Sequence, residues 1–94
     1  MLVEARIALW QSDRKFRLPA EGTRSMIFRV DLDDSDGLGG HATSLDGRDF
    51  APDSEHRATI EFWADDYARE VVNEGDTFTV WYGGDIGEGR VVSR

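Results

Sequence analysis

His41 and His56 are the only histidines in the chain. They are the side chains suited to proton transfer near neutral pH. His56 follows Ser54 and Glu55, but consecutive residues in an extended segment point in different directions and do not converge as a catalytic triad must. Neither histidine has a second His or a Cys at a metal-ligand spacing, so both read as surface histidines. Asp31, Asp33, Asp34 and Asp36 suggest a calcium loop. Counted from Asp31, however, the positions that need Gly and Glu hold Asp36 and Ala42, and the segment reads as a solvated acidic loop. With 19 Asp and Glu in all, a carboxylate pair carries no information about a hydrolase site.

The chain has no cysteine, which removes thiol nucleophiles, thiolate metal sites and disulfides. Gly84, Gly87 and Gly89 superficially suggest a phosphate loop. They lack the Lys-Ser/Thr ending and fall between strand-like runs, not before a helix. No catalytic residue, cofactor or metal is therefore expected. The remaining enzymatic reading is a carboxylate working with His41 or His56 in a pocket.

Charge bears on partners. The formal net charge is −8 and the isoelectric point about 4.5, so the chain repels polyanions at long range. Nucleic acid is held mainly by Lys and Arg on phosphate, and the densest basic stretch here is Arg14-Lys15-Phe16-Arg17. An RNA-binding alternative would rest on Arg14, Lys15, Arg17, Arg24 and Arg90. Trp10, Trp63 and Trp81 fall by alternation on outward faces. Since Trp is enriched at interface hot spots, they are the candidate protein interface.

Elements of period two position these residues. Val3, Ala5, Ile7 and Leu9 alternate with more polar neighbours, as in a half-buried strand. Met26–Val30, Ala58–Phe62, Phe78–Tyr82 and Ile86–Ser93 read as further strands, and Leu38–Leu45 as another, weakened by Gly39 and Gly40. Asp65–Asn73 is the one helical stretch, with Asp65 or Asp66 as cap, Tyr67, Val71 and Val72 inward, and Glu74-Gly75 as its stop. Gly83-Gly84 makes a tight hairpin turn. Ninety-four residues with many short strands and Gly-rich turns predict one all-β domain over 1–94, a small closed or nearly closed antiparallel barrel of about six strands.

The order of these residues resembles the third domain of elongation factor Tu, its C-terminal β-barrel. Val3-Glu4-Ala5-Arg6-Ile7 is similar to that domain's opening. Arg17-Leu18-Pro19, Gly22-Thr23-Arg24 and Pro52-Asp53 are similar to its turns. Glu74-Gly75-Asp76-Thr77-Phe78, Gly83-Gly84 and Ile86-Gly87-Glu88-Gly89 resemble its end. The resemblance implies the barrel scaffold and, as an alternative function, association with tRNA in translation. The chain has no P-loop, so GTP hydrolysis is not implied, and Asp85 stands where the family places a basic step after the Gly-Gly, so the tRNA alternative would rest on Arg14, Lys15, Arg17, Arg24 and Arg90 instead of on that hairpin.

The expectation is a non-catalytic, stand-alone module that binds another protein, an immunity or antitoxin role being one version, because an acidic protein complements a basic toxin. It would be cytoplasmic, since Glu4 and Arg6 interrupt any signal-like apolar stretch and no run approaches the ~18 residues of a membrane span. It would act as a monomer or weak homo-oligomer.

Overall fold

The computed structural model describes residues 1–10, 19–22, 26–30, 37–52 and 55–94. Six strands, β1 (Leu2–Leu9), β2 (Met26–Arg29), β3 (Leu38–Ser44), β4 (Glu55–Phe62), β5 (Thr77–Trp81) and β6 (Asp85–Ser93), close into a barrel in the order β1-β4-β3-β2-β5-β6. Every neighbouring pair is antiparallel, and β6 returns to β1. Closure leaves no free edge among the described strands.

The period-two reading explains the interior. Val3, Ala5, Ile7 and Leu9 of β1 face Ala58, Ile60 and Phe62 of β4 and Phe78, Val80 and Val91 across the lumen, all buried. Phe28 of β2 is at the centre. Its ring meets Phe62 and Phe78 edge-on, with centroids 5.8 and 5.6 Å away, the geometry that aligns ring edges with ring faces. Leu38–Ser44 is a complete strand despite its glycines. Gly40 is buried where a side chain would strike the Glu61 carbonyl at 2.8 Å.

β5 and β6 are joined through Tyr82, Gly83 and Gly84, with Gly83 at φ +70° and Gly84 at φ +151°. Only glycine takes such angles without penalty, and the Tyr82 N–H donates to the Gly84 carbonyl at 2.8 Å. Gly84, Gly87 and Gly89 thus belong to a hairpin.

The helix, α1, spans Asp65–Val71. Its inward residues are Ala68, with Val72 at its end and Val71 half-buried, whereas Tyr67 is exposed. That corrects the inward placement of Tyr67. Residues 68 and 72 are one helical turn apart and share a face that Tyr67 does not. The N-cap is Ala64 without a side-chain cap bond, not Asp65 or Asp66. Asp65 instead holds the amino-terminal ammonium of Met1 and, at 2.9 Å, Arg69 Nε. Among the described residues no helix is long and apolar enough to cross a membrane.

Candidate functional site

The outward side of the barrel brings together residues that are distant in sequence. In β2, Met26 and Phe28 point inward, so Ile27 points out. Register places Ile27 opposite Trp81 of β5 on one side and Gly39 of β3 on the other. Trp63, just past β4, donates its backbone N–H to the Gly39 carbonyl at 3.0 Å. Its ring covers Gly39 so closely that a Cβ there would be 3.2 Å from Trp63 Cδ1. The bare Gly39 therefore seats the indole, and Trp81, Ile27 and Trp63 form one apolar band across β5, β2 and β3. Strands tilt in a closed barrel, so a register row climbs around it. That is how a residue at the end of β5 and one past the end of β4 share a band.

Trp63 is 50% exposed, a large apolar surface for a residue held so firmly. Trp81 is half-buried. Trp10 is 45% exposed and lies across β6 from Trp81, its N–H bonded to the Ile86 carbonyl at 2.9 Å. Polar groups border the band. The His41 ring stands 6.2 Å from the Trp63 ring, and its Nε2 hydrogen-bonds the Glu21 carbonyl. Glu61 pairs with His41 in register and is exposed. Asp85 faces Trp81 in register and holds Arg29 Nη1 at 3.4 Å.

His56 departs from its expected surface position: it is only 2% exposed. β4 begins at Glu55, so the inward parity of Ala58, Ile60 and Phe62 extends back to His56. The Ala51 N–H donates to His56 Nε2 at 3.3 Å, leaving Nδ1 as the protonated nitrogen of the neutral ring. Nδ1 has no hydrogen-bond partner, although Asp46 Oδ2 lies 3.4 Å away. Ser44 Oγ donates to Asp46 Oδ1 at 2.5 Å. Ser, Asp and His therefore meet, but the hydroxyl is bonded to the carboxylate and not to the imidazole. A nucleophilic triad needs the imidazole on the hydroxyl. This cluster anchors the loop that carries Phe50, whose ring packs on His56 at 5.3 Å. The Ser44 hydroxyl and then the backbone and guanidinium of Arg48 hold the Asp46 carboxyl well below the usual carboxylate range.

Arg14, Lys15, Arg17, Arg24 and the acidic segment 31–36 lie outside the described residues. Of the basic candidates, Arg90 is described and is on the outer face of β6. Among the described residues no group of three His, Asp or Glu side chains is placed to hold a metal ion. No protein-family model and no curated protein sequence matches the chain.

Proposed function

We propose that the chain is a non-catalytic barrel module that binds another protein through the band of Trp81, Ile27 and Trp63, with Trp10 at its margin. The observation that carries this reading is the seating of Trp63 on Gly39. Glycine there lets a half-exposed indole lie against the wall, in line with Ile27 and Trp81. A rigidly held, exposed aromatic contributes contact area at little entropic cost, which is why such residues dominate binding energetics.

The charge pattern favours a basic partner. Arg6, Arg29, Arg48, Arg57 and Arg69 are each within 4 Å of a carboxylate. Glu61, Asp66, Glu70, Glu74 and Glu88 form no ion pair among the described residues. Complementary fields speed encounter and exclude wrong partners. Neutralisation of a basic toxin is the concrete version of this reading, on a scaffold that resembles the third domain of elongation factor Tu.

The test is affinity capture from the native cell with the wild-type chain and a Trp63→Ala/Trp81→Ala double variant. Both are first shown to be folded by circular dichroism, and the captured protein is then purified and titrated by calorimetry. Binding at least tenfold weaker in the double variant is expected. Equal binding by both chains, or recovery of a small metabolite and no protein, would overturn the proposal.

A further inference from the structure

A different face, on the opposite side of β6 from the Trp81 band, carries an arrangement the aromatic band does not use. Arg57 of β4, Arg6 of β1 and Arg90 of β6 stand directly opposite one another in register, followed by Thr77 of β5. Like charges placed directly across strands oppose pairing, so a row of three arginines in a chain of net charge −8 calls for compensation. Two of the three have it. Arg57 Nη2 reaches Glu4 Oε1 at 3.1 Å and Arg6 Nη1 reaches Glu55 Oε1 at 3.5 Å, reciprocal diagonal pairs that tie β1 to β4. Arg90 has no carboxylate within 4 Å among the described residues.

The neighbouring row has the opposite sign. Ala8 pairs with Glu55 on one side and Glu88 on the other. Rows two residues apart along a strand are separated by about 7 Å. A cleft of about 360 Å3 opens here, lined by Arg6 and Arg90 of the basic row, Glu55 and Glu88 of the acidic row, and Thr77. The methyl of Ala8 fills little of the space between the two glutamates. The volume is at the small end of ligand sites.

We propose that this cleft binds a small zwitterion, its oxyanion on Arg90 and Arg6 and its ammonium toward Glu88 and Glu55. A polyanion such as RNA would meet the two glutamates and a polycation the two arginines, whereas a compact molecule with both charges satisfies both rows. The Arg6–Glu55 pair does not block the site. Both side chains are 61% exposed, and pairs of that kind are held weakly enough to exchange partners.

The probe is O-phosphoethanolamine, titrated into the 15N-labelled chain while amide shifts are followed. Saturable shifts at Thr77 and Gly89 are expected, with a dissociation constant of about 1 mM. Arg90→Gln weakens binding at least tenfold and leaves the rest of the spectrum unchanged, which separates loss of a contact from loss of fold. Glu88→Gln weakens O-phosphoethanolamine but not inorganic phosphate. Shifts that grow without saturating, or that persist in Arg90→Gln, would overturn the site. Inorganic phosphate binding as tightly as O-phosphoethanolamine would overturn its zwitterionic character.

Discussion

Phe78 and Gly89 face each other across β5 and β6, and the ring of Phe78 occupies the place where a side chain at 89 would begin. A Cβ on Gly89 would be 2.4 Å from Phe78 Cζ and 2.5 Å from the Arg6 carbonyl oxygen. The ring can move only by disturbing its edge contact with Phe28, and the carbonyl belongs to β1. Gly89→Ala therefore costs about 1–3 kcal/mol, the usual range for overpacking. In a chain of this size each kcal/mol lowers Tm by about 4–8 °C. Thermal unfolding followed by circular dichroism checks it. A Gly89→Ala chain that melts with the wild type would show that Phe78 relaxes freely and that the contact is not restrictive.

The same contact shows what kind of information a sequence holds. Glycine in the interior of a strand-like run marks a place where a neighbour comes close, and at Gly87 and Gly89 the neighbours are the backbone of β1 and the Phe78 ring. The alternation of Val3 to Leu9 and of Phe78 to Tyr82 gave the core directly, because every second residue of a strand faces inward. His56 was legible by the same rule, had β4 been extended two residues upstream past Ala58. Pro52-Asp53, similar to a turn of the resembled family, concealed it by marking the approach to β4 as a turn. The helix was harder. With seven residues, it has too few turns for periodicity to separate Tyr67 from Ala68. The line of the aromatic band was not legible. Outward parity was visible for Trp63 and Trp81, but their line through Ile27 depends on β2 lying between β3 and β5, and neighbour order is a tertiary property.

Asp46 makes stability depend on acid. Its carboxyl is depressed by the Ser44 hydroxyl and by the Arg48 N–H and guanidinium, interactions that only the folded chain supplies. A group whose folded pKa lies below its unfolded value binds fewer protons when folded, so folding gains from it above the unfolded pKa of 3.8 and loses that gain as pH falls further. Asp65, lowered by the Met1 ammonium and then by Arg69, acts in the same direction. Denaturant midpoints are expected to fall from pH 5 towards pH 2, about one unit above and two below that value, and to fall less steeply in Asp46→Asn. Parallel pH profiles for the two chains would contradict this assignment.

The tryptophans should separate by accessibility. Trp10 and Trp63 are 45% and 50% exposed, and Trp81 is half-buried. Acrylamide is expected to quench most of the emission of the free chain, and Trp63→Phe should lower the quenching constant more than Trp81→Phe does. Uniform shielding of all three would remove the apolar band as a docking face.

His56 holds the loop from Leu45 to Pro52 against the barrel. Its Nε2 accepts the Ala51 N–H, its ring packs on Phe50, and Leu9 bridges to Pro52 nearby. His56→Leu keeps an apolar body in the site but removes the acceptor, leaving a backbone N–H unpaired at a cost of about 1–3 kcal/mol. Because the lost bond lies within this loop, whose other ties include the Leu45 N–H to the Arg57 carbonyl and the Ala20 N–H to Asp49, the loss should concentrate at Ala51 and Phe50. Hydrogen exchange at Ala51 and Phe50 is expected to accelerate more than exchange in β1 or β6. His56→Gln, whose amide oxygen can accept from the same N–H, should recover part of the protection. Uniform acceleration across all strands would instead mean that His56 supports the barrel wall as a whole, and equal protection in His56→Leu would mean that Phe50 alone secures the loop.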